Sequence, residues 1–460
     1  MGVSSATLAP ECARCRELEA RVLELETRLR DLEDRLKSPP GKRPVEPQPP
    51  APAKVPTGKR RGAQPGHKPH LKQWLPPDRV TQTVRFVPQV CTRCDRALDA
   101  QPGPTDPPPT VHQIAEWPAI AADVTEYQGH ARTCTCGHLN RATIPAAIRA
   151  STIGPQLSAT MAYLAGSHGM SRRGIEEVLE TMLRVPIAVG TIANLEQEMS
   201  AALEPAYHEV RQQVAAAAVK HLDETGWKEA GKKRWLWVAA TTTAVLFLIH
   251  PRRNLDAIKL LLGRLSGILV SDRWCVYDHW DEECRQLCWA HVKRNWDKQV
   301  ERGGEAKVLG ERWLAGHKAV FELWHRYRGG GCSRAEMGDR MIPQIEAMGD
   351  LLHAGVRSRD ARLSRYCTRL LDRYPLLWLF TSVEGVDPTN NHAERVQRRT
   401  VLWRKRSFGC QIQAGCRFAE RILTVVQTLR LQNRNTLEFL GRTLTAYRQG
   451  LSTPNICTAG

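Results

Sequence analysis

Residues 214–227 read Val214-Ala215-Ala216-Ala217-Ala218-Val219-Lys220-His221-Leu222-Asp223-Glu224-Thr225-Gly226-Trp227. An Ala/Val-rich run through Leu222 gives way to two acids, a threonine and a glycine, as an apolar strand does where it ends in polar groups. Gly231 and the lysines after it read as a hairpin turn. Arg234 to Thr243 and Val245 to His250 are rich in β-branched and aromatic residues and read as strands. Leu255 to Leu265 has the spacing of a short helix, and Gly267-Ile268-Leu269-Val270-Ser271-Asp272 is a buried strand ending in an acid. Gln286-Leu287-Cys288-Trp289 reads as another short strand, after which Ala290 to Lys298 starts a helix. This alternation predicts a mixed α/β sheet.

Two aspartates, Asp223 and Asp272, stand where apolar strands end. Strand ends of such sheets gather at one edge, so the two carboxylates can meet there. Paired carboxylates suit a hard, oxygen-seeking cation such as Mg²⁺, and two such ions support phosphodiester chemistry. Aspartate also caps turns and helices, so the pair alone leaves both readings open. A third acid joins them. Pro388-Thr389-Asn390-Asn391-His392-Ala393-Glu394-Arg395 opens a helix, and Glu394 is followed by Arg395, Arg398, Arg399, Arg404, Lys405 and Arg406. Glu394 reads either as an arginine partner or as a third metal ligand within a phosphate-binding surface. Glu224 adjoins Asp223, and strand alternation sends the two side chains to opposite faces.

Outward toward the N-terminus the material changes. Leu18, Val22, Leu25, Leu29, Leu32 and Leu36 alternate at steps of four and three, a coiled-coil seam over 16–37 that reads as self-association or as a docked amphipathic helix. Residues 38–79 are proline-rich and basic, a linker whose Lys59, Arg60 and Arg61 either lie along DNA phosphates or stay solvated. Cys91-Thr92-Arg93-Cys94 and Cys134-Thr135-Cys136-Gly137 are two knuckles within 80–150. Four thiolates close a tetrahedral zinc site, and His130 or His138 can substitute for one of them. Cys12 and Cys15 form a further CxxC without a neighbouring pair. Within 151–210, Ser171 to Leu183 and a helix from Gly190-Thr191 flank a break at Val185-Pro186-Ile187. That is the length of a helix-turn-helix, or of two packed helices with no DNA role.

The whole chain has 460 residues, 66 Lys+Arg against 48 Asp+Glu, and a net charge of +18. The excess favours a polyanionic partner, nucleic acid before membrane. Apolar residues at 42% rule out wholesale disorder. The apolar stretch Val238 to Ile249 is too short to span a bilayer, and no signal-peptide core is evident. A cytosolic protein is expected, with its 14 cysteines mostly reduced or metal-bound.

Taken in order, several motifs make the chain resemble transposases of the insertion-sequence 66 family, the TnpC type. They are the leucine heptad, Gly62-Ala63-Gln64-Pro65-Gly66-His67, the two cysteine knuckles and His221-Leu222-Asp223-Glu224-Thr225-Gly226-Trp227. Val270-Ser271-Asp272-Arg273-Trp274, Cys288-Trp289-Ala290-His291-Val292-Lys293-Arg294 and Asn390-Asn391-His392-Ala393-Glu394-Arg395 complete the set. The resemblance implies a ribonuclease H-like core of the DDE class, with Asp223, Asp272 and Glu394 as catalytic triad and ligands of two Mg²⁺ (or Mn²⁺) ions. It favours Asp223 over Glu224. The 122 residues from Asp272 to Glu394 imply a helical insertion near 300–385, into which Trp313–Tyr327 and Ala335–Leu352 fit.

The expected organisation is therefore 1–37 CxxC and coiled coil, 38–79 linker, 80–150 zinc module with Cys91, Cys94, Cys134 and Cys136, and 151–210 helical DNA-binding region. The core follows at 211–299 and 386–435 around the insertion 300–385, with a C-terminal helix and tail at 436–460. Candidate DNA contacts are Lys59, Arg60, Arg61, Arg273, Trp274, Arg294, Arg395, Arg398, Arg399, Arg404, Lys405 and Arg406. His291 and Asn391 are further candidates for orienting phosphates or the acids. Trp227, Trp235, Trp237 and Trp289 read as core. Expected partners are double-stranded DNA, a second copy of the chain and companion proteins of the same element. The rivals are a zinc-containing DNA-binding regulator without catalysis, a nuclease or resolvase on the same core, and a decayed transposase.

Overall fold

A computed structural model describes residues 74–457 apart from 102, 105 and 117–121, together with Arg21 and Glu26. The heptad and the basic stretch Lys59-Arg60-Arg61 lie outside the described residues, save that Arg21 and Glu26 are helical and exposed. Contacts divide the chain into two compact units, Met1–Trp117 and Pro118–Gly460. The division falls inside the stretch 80–150, so Cys91 and Cys94 belong to one unit and Cys134 and Cys136 to the other. In the first unit an antiparallel bridge between Val90 and Ala97 closes a turn around Cys91 and Cys94. In the second, β1 (Ala131–Thr133) and β2 (Leu139–Arg141) pair across a turn holding Cys134 and Cys136. Gly137 takes φ +86° there, a conformation that glycine adopts at little cost, and its N–H bonds the Cys134 carbonyl.

The rest of the second unit is built on a five-stranded sheet ordered β5-β4-β3-β6-β7. Its strands are β3 (Val219–Glu229), β4 (Lys232–Ala240), β5 (Val245–His250), β6 (Ile268–Ser271) and β7 (Arg285–Leu287). Ala230 and Gly231, both at positive φ, join β3 to β4 in a two-residue hairpin whose twist matches the strands. β3, β4 and β5 are antiparallel in sequence. The crossover through α5 (Leu255–Leu262) then brings β6 parallel to β3, with β7 parallel beyond it.

β3 differs from its sequence reading in both ends. Val214 to Ala216 close the preceding helix, and the strand runs on through Asp223, Glu224, Thr225 and Gly226 to Glu229. The polar residues remain in the strand because β4 pairs with every residue from His221 to Glu229, and a ladder is made of backbone groups. β6 pairs only with Val219, Lys220 and His221. Asp223 is thus mid-strand, yet beyond the last β6 rung, where one side of β3 is open.

Among the described residues four helices of 12 to 14 residues lead into the sheet: α1 (Pro155–His168), α2 (Arg172–Leu183), α3 (Val189–Ala202) and α4 (Glu204–Ala216). The expected break at 185–187 separates α2 from α3. Buried Ile175, Leu179, Ile192 and Met199 join the same apolar cluster as Leu222, Trp237 and Phe247, so these helices share the core of the sheet.

α11 (Gln413–Leu431) closes the β5 edge. The N–H groups of Val245, Phe247 and Ile249 donate to Thr428 Oγ1 (3.0 Å), Thr424 Oγ1 (3.0 Å) and Glu420 Oε1 (2.6 Å). Four helical residues rise about 6 Å and two strand residues about 6.8 Å, so helix and strand spacings match. A free sheet edge, an aggregation hazard, is satisfied by side chains. α12 (Thr436–Arg448) packs on α1.

A second apolar cluster fills the insertion. It joins Val270, Leu287 and Trp289 to α6 (Trp289–Glu301), α7 (Gly304–Arg328), α8 (Arg334–Val356) and α9 (Ala361–Leu371). α7 and α8 contain the two segments read as helical. The indoles of Trp289 and Trp296 stack on Trp313 at 5.5 and 5.2 Å. Trp227, Trp237 and Trp289 are fully buried, and Trp235 packs half-buried against the core. No described helix is long and apolar enough to cross a membrane.

Candidate active site

Three acids approach the open side of β3 from three elements. Asp223 lies on β3 and Asp272 follows β6, each two residues past the last paired rung, His221 with Val270. Glu394 sits in the first turn of α10 (Asn391–Ser407), which packs against β3 and β4. Gly409, just after α10, presses against Lys228 so closely that a Cβ would overlap its carbonyl oxygen. Cys410 N–H then donates to that carbonyl (2.9 Å), pinning the C-terminal end of α10 to the end of β3.

Asp223 is half-buried, with Oδ1 accepting from Glu224 N–H at 2.9 Å. The Gln397 amide, one turn after Glu394 on α10, donates to Asp223 Oδ2 at 2.8 Å while its oxygen accepts from Thr225 N–H at 3.2 Å. Burial, followed by the charges of Glu224, Asp272 and Glu394, pushes the Asp223 carboxyl up to about 7. Asp272 Oδ1 accepts from Trp274 N–H at 2.9 Å. Among the described residues neither aspartate forms an ion pair. Glu394 is half-exposed and takes a 3.1 Å hydrogen bond from Arg294.

Alternation separates the neighbouring acid as expected. Glu224 binds Arg253 and accepts from the Tyr277 hydroxyl at 2.6 Å. Burial raises its carboxyl, and it behaves as a structural anchor tying β3 to the segment after β6.

The three carboxylates do not form the tightest group. Among the described residues one set of three potential ligand atoms lies within 4.8 Å of one another, namely Cys288, His291 and Glu394. His291 Nδ1 stands 3.7 Å from Glu394 Oε1 and is buried without a hydrogen-bond partner. Burial, then Arg294, lowers the His291 pKa. Cys288 is a poor ligand: it is buried, its Sγ accepts from Asn390 N–H at 3.1 Å, and burial pushes its thiol up.

Asn390 is the hub that sequence reasoning missed. It is fully buried at the start of α10, and its Nδ2 donates to the Leu222 carbonyl at 2.6 Å. Its Oδ1 accepts from His221 Nδ1 at 3.2 Å, and its carbonyl accepts from Glu394 N–H at 3.3 Å. Burial pushes His221 down to about 4, so its ring is neutral. His392 meets His221 edge-on at 5.3 Å and reaches the Thr241 carbonyl at 2.7 Å. One asparagine therefore ties β3, the β7–α6 junction and the Glu394 turn together. The signal was a polar run, Asn390-Asn391-His392, opening a helix.

The candidate DNA contacts divide. Arg395, Arg398, Arg399, Lys405 and Arg406 are exposed on α10, as is Asn391, and Arg294 is exposed on α6 and paired with Glu394. Arg273 lies over the Tyr366 ring at 5.3 Å. Trp274 and Arg404 are engaged within the protein instead. The Trp274 ring packs beside Trp237 and Tyr277, with the Arg253 guanidinium 3.9 Å above it, because the segment after β6 folds back onto the core. Arg404 binds the Gly226 carbonyl and Thr225 Oγ1, because α10 lies along β3.

Each cysteine turn directs N–H groups at a sulfur. Those of Arg93 and Cys94 lower the Cys91 thiol pKa, and that of Cys136 lowers Cys134.

A family model described as "Transposase IS66 family" matches residues 150–417, a span that holds all three acids and the insertion. The chain is also similar to the uncharacterized protein y4qI of Sinorhizobium fredii, 26% identical over 247 residues. That alignment covers 47% of this chain and 44% of the relative, so the chain spans less than half of that protein.

Proposed function

This chain belongs to the IS66 transposase family, and on that premise we propose that it is a DNA transposase of the DDE class acting through Asp223, Asp272 and Glu394. The observation that carries the reading is the convergence of three acids on the open side of β3, with the Asp223 carboxyl pushed up to about 7 by burial and by its acidic neighbours. A site that gathers acids around two aspartates that have no ion pair of their own among the described residues is one that a bound cation completes. The ribonuclease H-like reading is supported by the mixed sheet, by one acid on β3 and one directly after its parallel neighbour β6, and by a helical insertion before the third acid.

The donor set fits a hard divalent ion: oxygen ligands from Asp223, Asp272 and Glu394, with a buried, unpartnered His291 nitrogen beside Glu394. Two Mg²⁺ or Mn²⁺ ions, when bound there, supply activation of the attacking oxygen and stabilisation of the leaving one. The chain's own groups prepare that site. Gln397 orients Asp223, Asn390 fixes the Glu394 turn against β3, and Arg294 holds the Glu394 carboxylate until the site is filled. Asp223 carries a proton for part of the time near neutral pH and releases it to become a ligand. Water then cleaves the phosphodiester at an element end, and the freed 3′-hydroxyl attacks target DNA. Both steps are in-line displacements at phosphorus, and neither needs a covalent protein–DNA intermediate.

The DNA contacts we propose are the exposed cations of α10 and, outside the described residues, the basic stretch Lys59-Arg60-Arg61. Structural zinc falls to Cys91 and Cys94 and to Cys134 and Cys136, supported by the N–H groups aimed at each first sulfur. Pairing of two protomers falls to the 16–37 heptad, with companion proteins of the element as further partners.

The test is cleavage and strand transfer on labelled DNA carrying the element's terminal repeats, with Mg²⁺ or with EDTA, for the parent and for Asp223→Asn. Both EDTA and the substitution should abolish product while end binding persists. A variant that cuts at the parental rate would overturn the assignment, and binding without metal-dependent cutting would favour the regulator.

A further inference from the structure

Beside the acid edge lies a cleft of about 360 Å³ lined by Arg273, Arg362, Arg365, Tyr366 and Arg369. Arg362, Arg365 and Arg369 recur at steps of three and four on α9, so they share one exposed helix face. The opposite face, Leu363, Cys367 and Leu370, is buried in the insertion core. α9 has no acidic residue.

Two acids beside it are already occupied, and Asp372, which caps its C-terminal end, forms no ion pair with its arginines among the described residues. Asp360 caps the helix through the Arg362 and Leu363 N–H groups and pairs with Arg302. Asp278 takes Arg373 at 2.6 Å and Arg285 at 2.8 Å. Exposed lysines elsewhere in the insertion have an acid one turn on: Lys307 with Glu311 at 3.9 Å and Lys318 with Glu322 at 3.8 Å. Among the described residues no ion pair serves Arg273, Arg362, Arg365 or Arg369. Tyr366, in the same cleft, has a buried hydroxyl without a hydrogen-bond partner.

Four guanidinium groups around one cleft repel one another, and a polyanion removes that cost. From Arg362 to Arg369 the helix rises about 10.5 Å, close to three phosphate-to-phosphate steps of one DNA strand at about 3.4 Å each along the axis. Arg273 directly follows Asp272 and is near enough to His291 to lower its pKa, so the cleft adjoins the acids.

We infer that the arginine face of α9 binds the phosphate backbone of the DNA strand that leads into the acid edge, an assignment of the DNA that rests on the transposase reading. The contact is to phosphate, so it adds affinity and positioning without base preference.

The test measures affinity for a duplex carrying the element's terminal repeat across a KCl series. It compares the parent, Arg362→Gln/Arg365→Gln/Arg369→Gln, the corresponding all-lysine triple, and Lys307→Gln/Arg312→Gln/Lys318→Gln as a charge-matched control. Each lost phosphate contact flattens the log K against log salt slope by about 0.9, so the glutamine triple should lose about 3. The lysine triple and the control should keep the parental slope. Should the glutamine triple fold poorly, Arg369→Gln alone carries the test with a loss of about 0.9. A parental slope in the glutamine variants, or an equal loss in the control, overturns the inference. A parent that binds and cuts this DNA while the glutamine triple is unchanged leaves the transposase reading standing. A parent that does not bind the duplex at all sinks that reading itself.

Discussion

Two regions of the same sheet bury carboxylates and treat them in opposite ways. At the β5 edge Glu420 is almost wholly buried, yet one oxygen accepts from Ile249 N–H at 2.6 Å and the other from Arg417 at 2.9 Å. At the other side of β4, Asp223 has only the Glu224 N–H and the Gln397 amide as donors, and its charged neighbours are Glu224, Asp272 and Glu394. The first arrangement satisfies a charge and closes a strand edge. The second leaves Asp223 and Asp272 without an ion pair, while Glu224 and Glu394 have Arg253 and Arg294, and a bound cation supplies what the two aspartates lack.

The comparison can be broken most directly by removing the acids themselves. Asp223→Asn, Asp272→Asn and Glu394→Gln should each lower strand cleavage by about 10³-fold or more, the several kcal/mol that metal-assisted charge stabilisation supplies. Glu420→Gln, measured in the same gel assay on folded protein, should leave cleavage largely intact. If it were as inactive as Asp223→Asn, the distinction between the two regions would fail.

A sharper version uses stability. The ordinary Asp pKa is 3.8, and in the folded chain Asp223 is pushed up to about 7. The folded state then binds the proton more tightly than the unfolded one, so stability is lost as pH rises from about 4 through about 7 and stays lost above. In EDTA, Asp223→Asn should therefore gain about 2–4 kcal/mol by urea denaturation near pH 8 and almost nothing near pH 4. A gain that did not shrink at low pH would point to repacking rather than charge.

Asn390→Ala should lower cleavage by about 10–100-fold, as losses of groups that orient ligands do, while duplex affinity stays parental. Equal losses of affinity and cleavage would mean that the hub merely holds the fold. The smallest effect belongs to the sealed edge. Thr424→Val removes the acceptor for Phe247 N–H and should cost about 1–3 kcal/mol of stability with no change in cleavage per folded molecule.

The reading of the sequence reached the strands of the sheet and the helices between 300 and 385 because each is encoded locally, in a two-residue or helical period; Asp223 and Asp272 stood out as acids at the close of apolar runs and Glu394 as an acid in a helix opening. It ended β3 too early, since the apolar run stops at Leu222 while the backbone ladder with β4 continues. It passed over Asn390 and Gln397 because their roles come from partners remote in the chain. Asn390 bonds Leu222 across 168 residues, and no periodicity encodes such a pairing. It placed Trp274 at the DNA from its position after Asp272, whereas Arg253, from the turn before α5, covers the ring. The arginine face of α9 was readable as spacing, but its lack of ion-pair partners shows only in the fold, where Asp360 and Asp278 pair with other arginines.

The most direct test of the central claim replaces one proposed ligand by a softer one. Asp272→Cys puts a thiolate where a carboxylate stood, and thiolates favour Mn²⁺ over Mg²⁺. Cleavage by this variant on terminal-repeat DNA should vanish in Mg²⁺ and return in part in Mn²⁺, with DNA binding unchanged in both. Full activity in Mg²⁺ would contradict the assignment of Asp272 as a metal ligand, and with it the account of this sheet edge as the reaction centre.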